Sequence, residues 1–148
     1  MQLETLLESI KNIVGLKDEL KEDSYSTKEL LIDLLKIYTI YLENVDDSKY
    51  NPVNHDGTLL YEQIQEQVKK NLSLITQREE KSTFGNVPLL PEDDMCDVII
   101  GLENSLHTFE NTNKSAFLEE FIFQIKHNIH QYLVNCIVYF SQLESIHN

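Results

Sequence analysis

Residues 115–145 read SAFLEEFIFQIKHNIHQYLVNCIVYFSQLES, an unbroken run without glycine or proline. Apolar residues recur in it at spacings of three and four, so the run reads as one long helix. One broad stripe, Phe117, Leu118, Phe121, Ile122, Ile125, Ile129, Tyr132, Leu133, Cys136, Phe140 and Leu143, is expected to face a core. At about 100° per residue a second stripe emerges on the far side: Phe123, His127, His130, Val134, Ile137 and Val138, with Glu120 at its edge. A helix apolar nearly all round is covered on both sides, by its own chain or by another molecule.

Working outward, the rest of the chain obeys the same period. Four glycines and three prolines punctuate 148 residues, so the fold class is all-α: a single-domain helical bundle, 1–148, of about five helices with a long C-terminal helix. The first helix is expected at about 2–22, with Leu3, Leu6, Leu7, Ile10, Ile13 and Val14 on one stripe and Gly15 as a weak point. The second, about 27–45, starts at Ser26 with Glu29 three residues on, the spacing of a capping box. Leu30, Leu31, Leu34, Leu35, Ile37, Tyr38, Tyr41, Leu42 and Val45 cover more than half of its circumference, which marks it as the central helix.

The turn cluster NPVNHDG, 51–57, holds His55 and precedes a third helix at about 58–75, whose narrow stripe of Ile64, Val68, Leu72 and Ile75 places it at the surface. A loop over 77–90 follows, with Phe84-Gly85 at its centre. Loops of that length are uncommon in compact domains and are often functional. Pro91 suits the opening of the fourth helix, and Glu92, Asp93 and Asp94 complement the positive end of its dipole. Met95, Val98, Ile99, Leu102, Leu106 and Phe109 form its apolar stripe.

A domain of this size can bury roughly 70% of its unfolded surface, so one core suffices. The 41% hydrophobic content is too high for a disordered chain, and no stretch approaches the roughly 20 apolar residues that span a bilayer. Glu4 and Glu8 stand where an export signal would be basic and then apolar, so a cytoplasmic protein is expected. Cys96 and Cys136, 40 residues apart, form neither a disulfide framework nor a zinc knuckle, and read as reduced, buried, small apolar residues.

The formal charge is -13, with 12 Lys and Arg against 25 acids. Nucleic-acid binding needs basic side chains to displace counterions, so that class is excluded. Glu92, Asp93, Asp94, Asp97, Glu103 and Glu110 fall in a stretch free of Lys and Arg. Such a stretch is either a solvated helix face or a docking surface for a basic partner.

His127 and His130 could supply two of the three or four ligands that a metal needs at about 2.1 Å, with Asp94 and Asp97 as candidates to complete the set. Paired Glu-x-x-His motifs of the di-iron kind are lacking; Glu144-x-x-His147 is the one match. The chain carries no Gly-rich phosphate loop, Gly-x-Ser-x-Gly elbow or His-Glu-x-x-His motif, and no cofactor is implied.

The run Asp93-Asp94-Met95-Cys96-Asp97-Val98-Ile99, and Phe121-Ile122-Phe123 with the segment ending at His130, resemble a bacterial all-helical family, domain of unknown function 5063. In that family an aromatic-rich helix carries His-Trp-Gly-x-His; here Lys126, His127 and Asn128 fall on its first three positions and His130 matches the last. The resemblance covers about 55 residues, implies a helical fold and a bacterial origin, and implies no activity.

The expected function is therefore a protein-interaction module without evident catalytic machinery. Its binding surface would comprise Glu92, Asp93, Asp94, Asp97, Phe123, His127, His130, Val134 and Val138. The partner would be a basic protein, as for an immunity- or antitoxin-like chain, or a second copy against the last helix. The alternative is a metal-binding protein or metal-dependent enzyme using His127 and His130 with acids of the fourth helix.

Overall fold

A computed structural model describes residues 3–20, 24–45, 59–77 and 91–147. Among them every regular element is helical: α1 Leu3–Val14, α2 Thr27–Asn44, α3 Tyr61–Thr76, α4 Glu92–Asn111, α5 Lys114–Phe123 and α6 His130–His147. The last two are joined without a break by a π-helical segment, Gln124–Ile129, so the expected C-terminal helix is one rod with a widened turn in its middle. The cluster at 51–57 with His55, and Phe84-Gly85 with the rest of 78–90, lie outside the described residues.

α1 ends earlier than its sequence pattern suggests. Leu6, Ile10 and Ile13 are fully buried, but the helix stops at Val14 and tightens into a 3-10 turn, Gly15–Lys17. Glycine loses the most backbone entropy on entering a helix, so it is a cheap place to stop. A partner holds the chain there: the amide of Asn71, buried on α3, donates to the carbonyl oxygens of Leu16 and Asp18, both at 2.7 Å.

Local signals set the other ends. Ser26 Oγ accepts from the Glu29 backbone N–H at 3.1 Å and donates to the Glu29 carboxylate at 3.0 Å. Asn113 caps α5 by accepting from the Ala116 N–H at 2.9 Å. The contacts to the Glu29 and Ala116 N–H groups each satisfy a backbone donor that the first helical turn leaves open.

The central helix is α4, not α2. α4 packs against α1, α3, α5, the π segment and α6, whereas α2 packs chiefly on α1 and α6. Met95, Val98, Ile99 and Leu102 are fully buried, each contributing roughly 1.5–3 kcal/mol. On α2 the inward residues Leu30, Leu34 and Ile37 are equally buried, but Ile32, Leu35 and Leu42 stay 40%, 42% and 53% exposed. The correction has a plain cause: apolar circumference measures how much of a helix could be covered, not how much its own chain covers.

α1 and α2 are pinned by a polar knot. Asp33, 7% exposed, accepts from Ser9 Oγ at 2.9 Å, Asn12 Nδ2 at 3.1 Å and the Tyr25 hydroxyl. Burial, followed by the Asp33 contact, pushes the Tyr25 hydroxyl well above its ordinary pKa. A buried carboxylate is tolerated when its lone pairs are used, and three donors do so here.

Candidate functional site

The π segment decides where the predicted site residues point. Phe121, Ile125, Ile129 and Leu133 are all buried, and they follow one another at steps of four. In a 3.6-residue helix each such step drifts about 40°, so three in succession would turn the last residue away from the core. The wider π turn, with its i→i+5 bonding, absorbs that drift.

It also brings Gln124 and Glu120 indoors, at 4% and 1% exposure, where the Gln124 amide donates to the Glu120 carboxylate at 2.6 Å and accepts from Asn128 Nδ2 at 2.9 Å. Glu120 is thus a buried residue rather than the edge of an outer stripe. Tyr132, expected in the core, is 38% exposed, and Tyr139 is buried instead.

The two histidines part company. His127 is exposed and lies against the Phe123 ring, 4.9 Å between centroids. His130, at the start of α6, is half-buried, with Nε2 3.1 Å from the Tyr38 hydroxyl and its ring 5.5 and 6.0 Å from those of Tyr38 and Tyr41. His130 therefore joins the seam between α2 and the rod. Among the described residues no three His, Cys, Asp or Glu side chains converge as metal ligands, so the set of His127 and His130 with α4 acids is not brought together.

The outer stripe is left partly open. Phe123 and Val134 are half-buried, Ile137 packs on the core cluster, and Val138 is 50% exposed. Beside it stands the acidic opening of α4, where Glu92, Asp94 and Asp97 are half-buried and Asp93 is exposed. Asp93 accepts from the Tyr61 hydroxyl at the start of α3, which raises that hydroxyl's pKa. Burial, then the charges of Asp94 and Asp93, holds the Asp97 carboxyl above its usual range.

Asp94 accepts from Asn135 Nδ2 of α6 at 3.2 Å. Asn135 follows Val134 directly and precedes Val138 by one helical turn. Asp94 therefore reaches α6 on the turn that precedes Val138. Asn135 was not singled out by sequence, because an exposed asparagine on a long helix carries no periodic signal.

Both cysteines lie under this surface, fully buried and unpaired with each other. Burial, with Asp93, Asp97 and Glu92 behind it, pushes the Cys96 thiol up to about 12. Burial likewise raises the Cys136 thiol well above its ordinary value, with Asp94, Asp97 and Cys96 adding to it. Neither is poised as a nucleophile.

No helix among the described residues is long and apolar enough to cross a membrane. No family model, curated protein or solved structure matches the chain.

Proposed function

We propose that the chain is a cytoplasmic helical interaction module that binds a basic protein partner across the outer face of α6 and the acidic opening of α4. The observation that supports it is the Asp94–Asn135 contact, at 3.2 Å, which ties the acidic opening of α4 to α6 one helical turn before the exposed Val138. An apolar strip flanked by acids suits a partner helix with an apolar stripe and a basic border. The apolar strip supplies most of the affinity, and the acids supply steering and orientation.

Of the segment that resembles the domain-of-unknown-function 5063 pattern, Asp93, Asp94 and Asp97 would contribute to this surface, while Met95, Cys96, Val98 and Ile99 face the core. An immunity- or antitoxin-like protein masking a basic toxin is the concrete form of the reading. Affinity capture with the full chain tests it, comparing wild type with D93K/D94K/D97K and with V138D. A specific partner lost in both variants, and released progressively as salt rises, supports the proposal. Capture that neither variant changes overturns it, and a second copy recovered in place of a basic protein replaces that partner with a homodimer through the same face.

A further inference from the structure

The outer face of α2 is a separate surface with its own symmetry. Ile32, Leu35 and Leu42 are the exposed apolar residues of that helix, at 40%, 42% and 53%. Together with Lys36, Thr39 and Glu43, Ile32 and Leu35 line a shallow open groove between α2 and Thr5 of α1. Among the described residues nothing covers these three large apolar side chains, so the face stands unpartnered there.

The order of residues along it identifies what covers it. Leu35 and Lys36 lie four and three residues before Thr39, while Leu42 and Glu43 lie three and four residues after it. A two-fold axis through Thr39 that sets two α2 helices antiparallel therefore brings Leu35 of one copy to Leu42 of the other. The same operation brings Lys36 to Glu43. Both matches fall within one residue of the axis, an offset of about 1.5 Å along the helix. Thr39 itself is exposed and small enough to let the helices approach at the crossing. Neither match needs any other sequence, and both repeat on the far side of the axis, as an isologous contact requires.

We infer that the α2 face is a homodimer interface, in which Leu35 packs on Leu42 and Lys36 pairs with Glu43 of a second copy of this chain. The face is small beside the interfaces of permanent dimers, and two copies of charge -13 repel, so the dimer is a weak one that forms as concentration rises. None of the residues lining this groove belongs to the α4–α6 surface.

Charge exchange with the full chain tests the pairing by sedimentation. Wild type should shift toward twice the 17.3 kDa chain mass between about 20 µM and 1 mM. K36E should weaken the dimer roughly tenfold, because it sets like charges opposite one another at both symmetric sites. E43K should weaken it similarly, although it makes the chain less negative; bulk repulsion alone would predict the reverse. K36E/E43K should recover the wild-type constant, and an equimolar mixture of K36E and E43K should associate where neither does alone. Both positions of the exchange, Lys36 and Glu43, are exposed, so thermal midpoints should stay close to wild type and separate lost association from lost fold. A wild-type chain that stays monomeric to 1 mM overturns the inference, and so does a dimer indifferent to these exchanges.

Discussion

A Cβ added at Gly101 of α4 would lie 2.8 Å from Ile129 Cγ2, inside van der Waals contact, and 3.0 Å from Ile129 Cδ1. Ile129 closes the π segment, so the bare backbone of Gly101 is the space into which the widened turn packs. Glycine stands in the central helix at a cost of about 1 kcal/mol against alanine, and the close approach is what that cost secures.

Gly101→Ala should therefore destabilise the protein despite its better helix propensity, by about 1–3 kcal/mol in chemical denaturation. Ile129→Ala alone should also destabilise, through the cavity that it leaves. In the double variant the two losses should fall well short of additive, because the Cβ then has room. Strict additivity would show that the two residues do not share this contact.

Asp33→Ala should cost about 2–4 kcal/mol, since it strands the buried Ser9 hydroxyl and removes the partner of the half-buried Tyr25 and of the exposed Asn12. Tyr25→Phe removes one donor and leaves two, so a loss of about 1 kcal/mol is expected. Urea midpoints for the two variants give the ranking directly, and an equal effect would contradict the three-donor account.

Asp97 holds its proton more tightly in the folded protein than in the unfolded chain, because burial and then Asp94 and Asp93 raise its carboxyl. Its contribution to stability therefore falls as pH rises through the window between its unfolded and folded values, and is level above that window. Asp97→Asn should raise the Tm at pH 7, and the gain should shrink as pH is lowered through the same window. A gain that grows toward low pH would reverse the assignment.

Cys96, pushed up to about 12 by burial, is roughly one part in ten thousand thiolate at pH 8. Neither cysteine should react with an aromatic disulfide reagent in the native protein over the minutes in which a free surface thiol is consumed. Both should react at once in denaturant. Prompt native labelling of either would show that the surface above them opens.

Much of the architecture was legible because helices announce themselves through periodic burial. Ser26 and Glu29 marked the start of α2, and Pro91 that of α4. The early end of α1 was half legible at Gly15, yet Asn71, which holds the chain there, comes from another helix. The π segment left a trace in the four-residue steps from Phe121 to Leu133, although a fixed angle of about 100° per residue smooths that trace away. His127 and His130 looked like neighbours on one stripe for the same reason.

The candidate surface was legible in its parts. Asp93, Asp94 and Asp97 announced themselves by charge, and Val134 and Val138 by apolar spacing. The Asp94–Asn135 contact between α4 and α6 was not, since a contact 41 residues apart in sequence has no local signature.

By itself the sequence determined an all-helical chain, most helix starts and the acidic character of α4, all properties of neighbouring residues and their spacing. Tertiary structure alone decided that α4 rather than α2 lies at the centre, that Gly101 admits the π turn, that His130 belongs to Tyr38, and that three leucine and isoleucine side chains of α2 stay in water. The reason is physical: spacing fixes which side of a helix is apolar, whereas coverage depends on which other helix arrives there and how closely its backbone can approach.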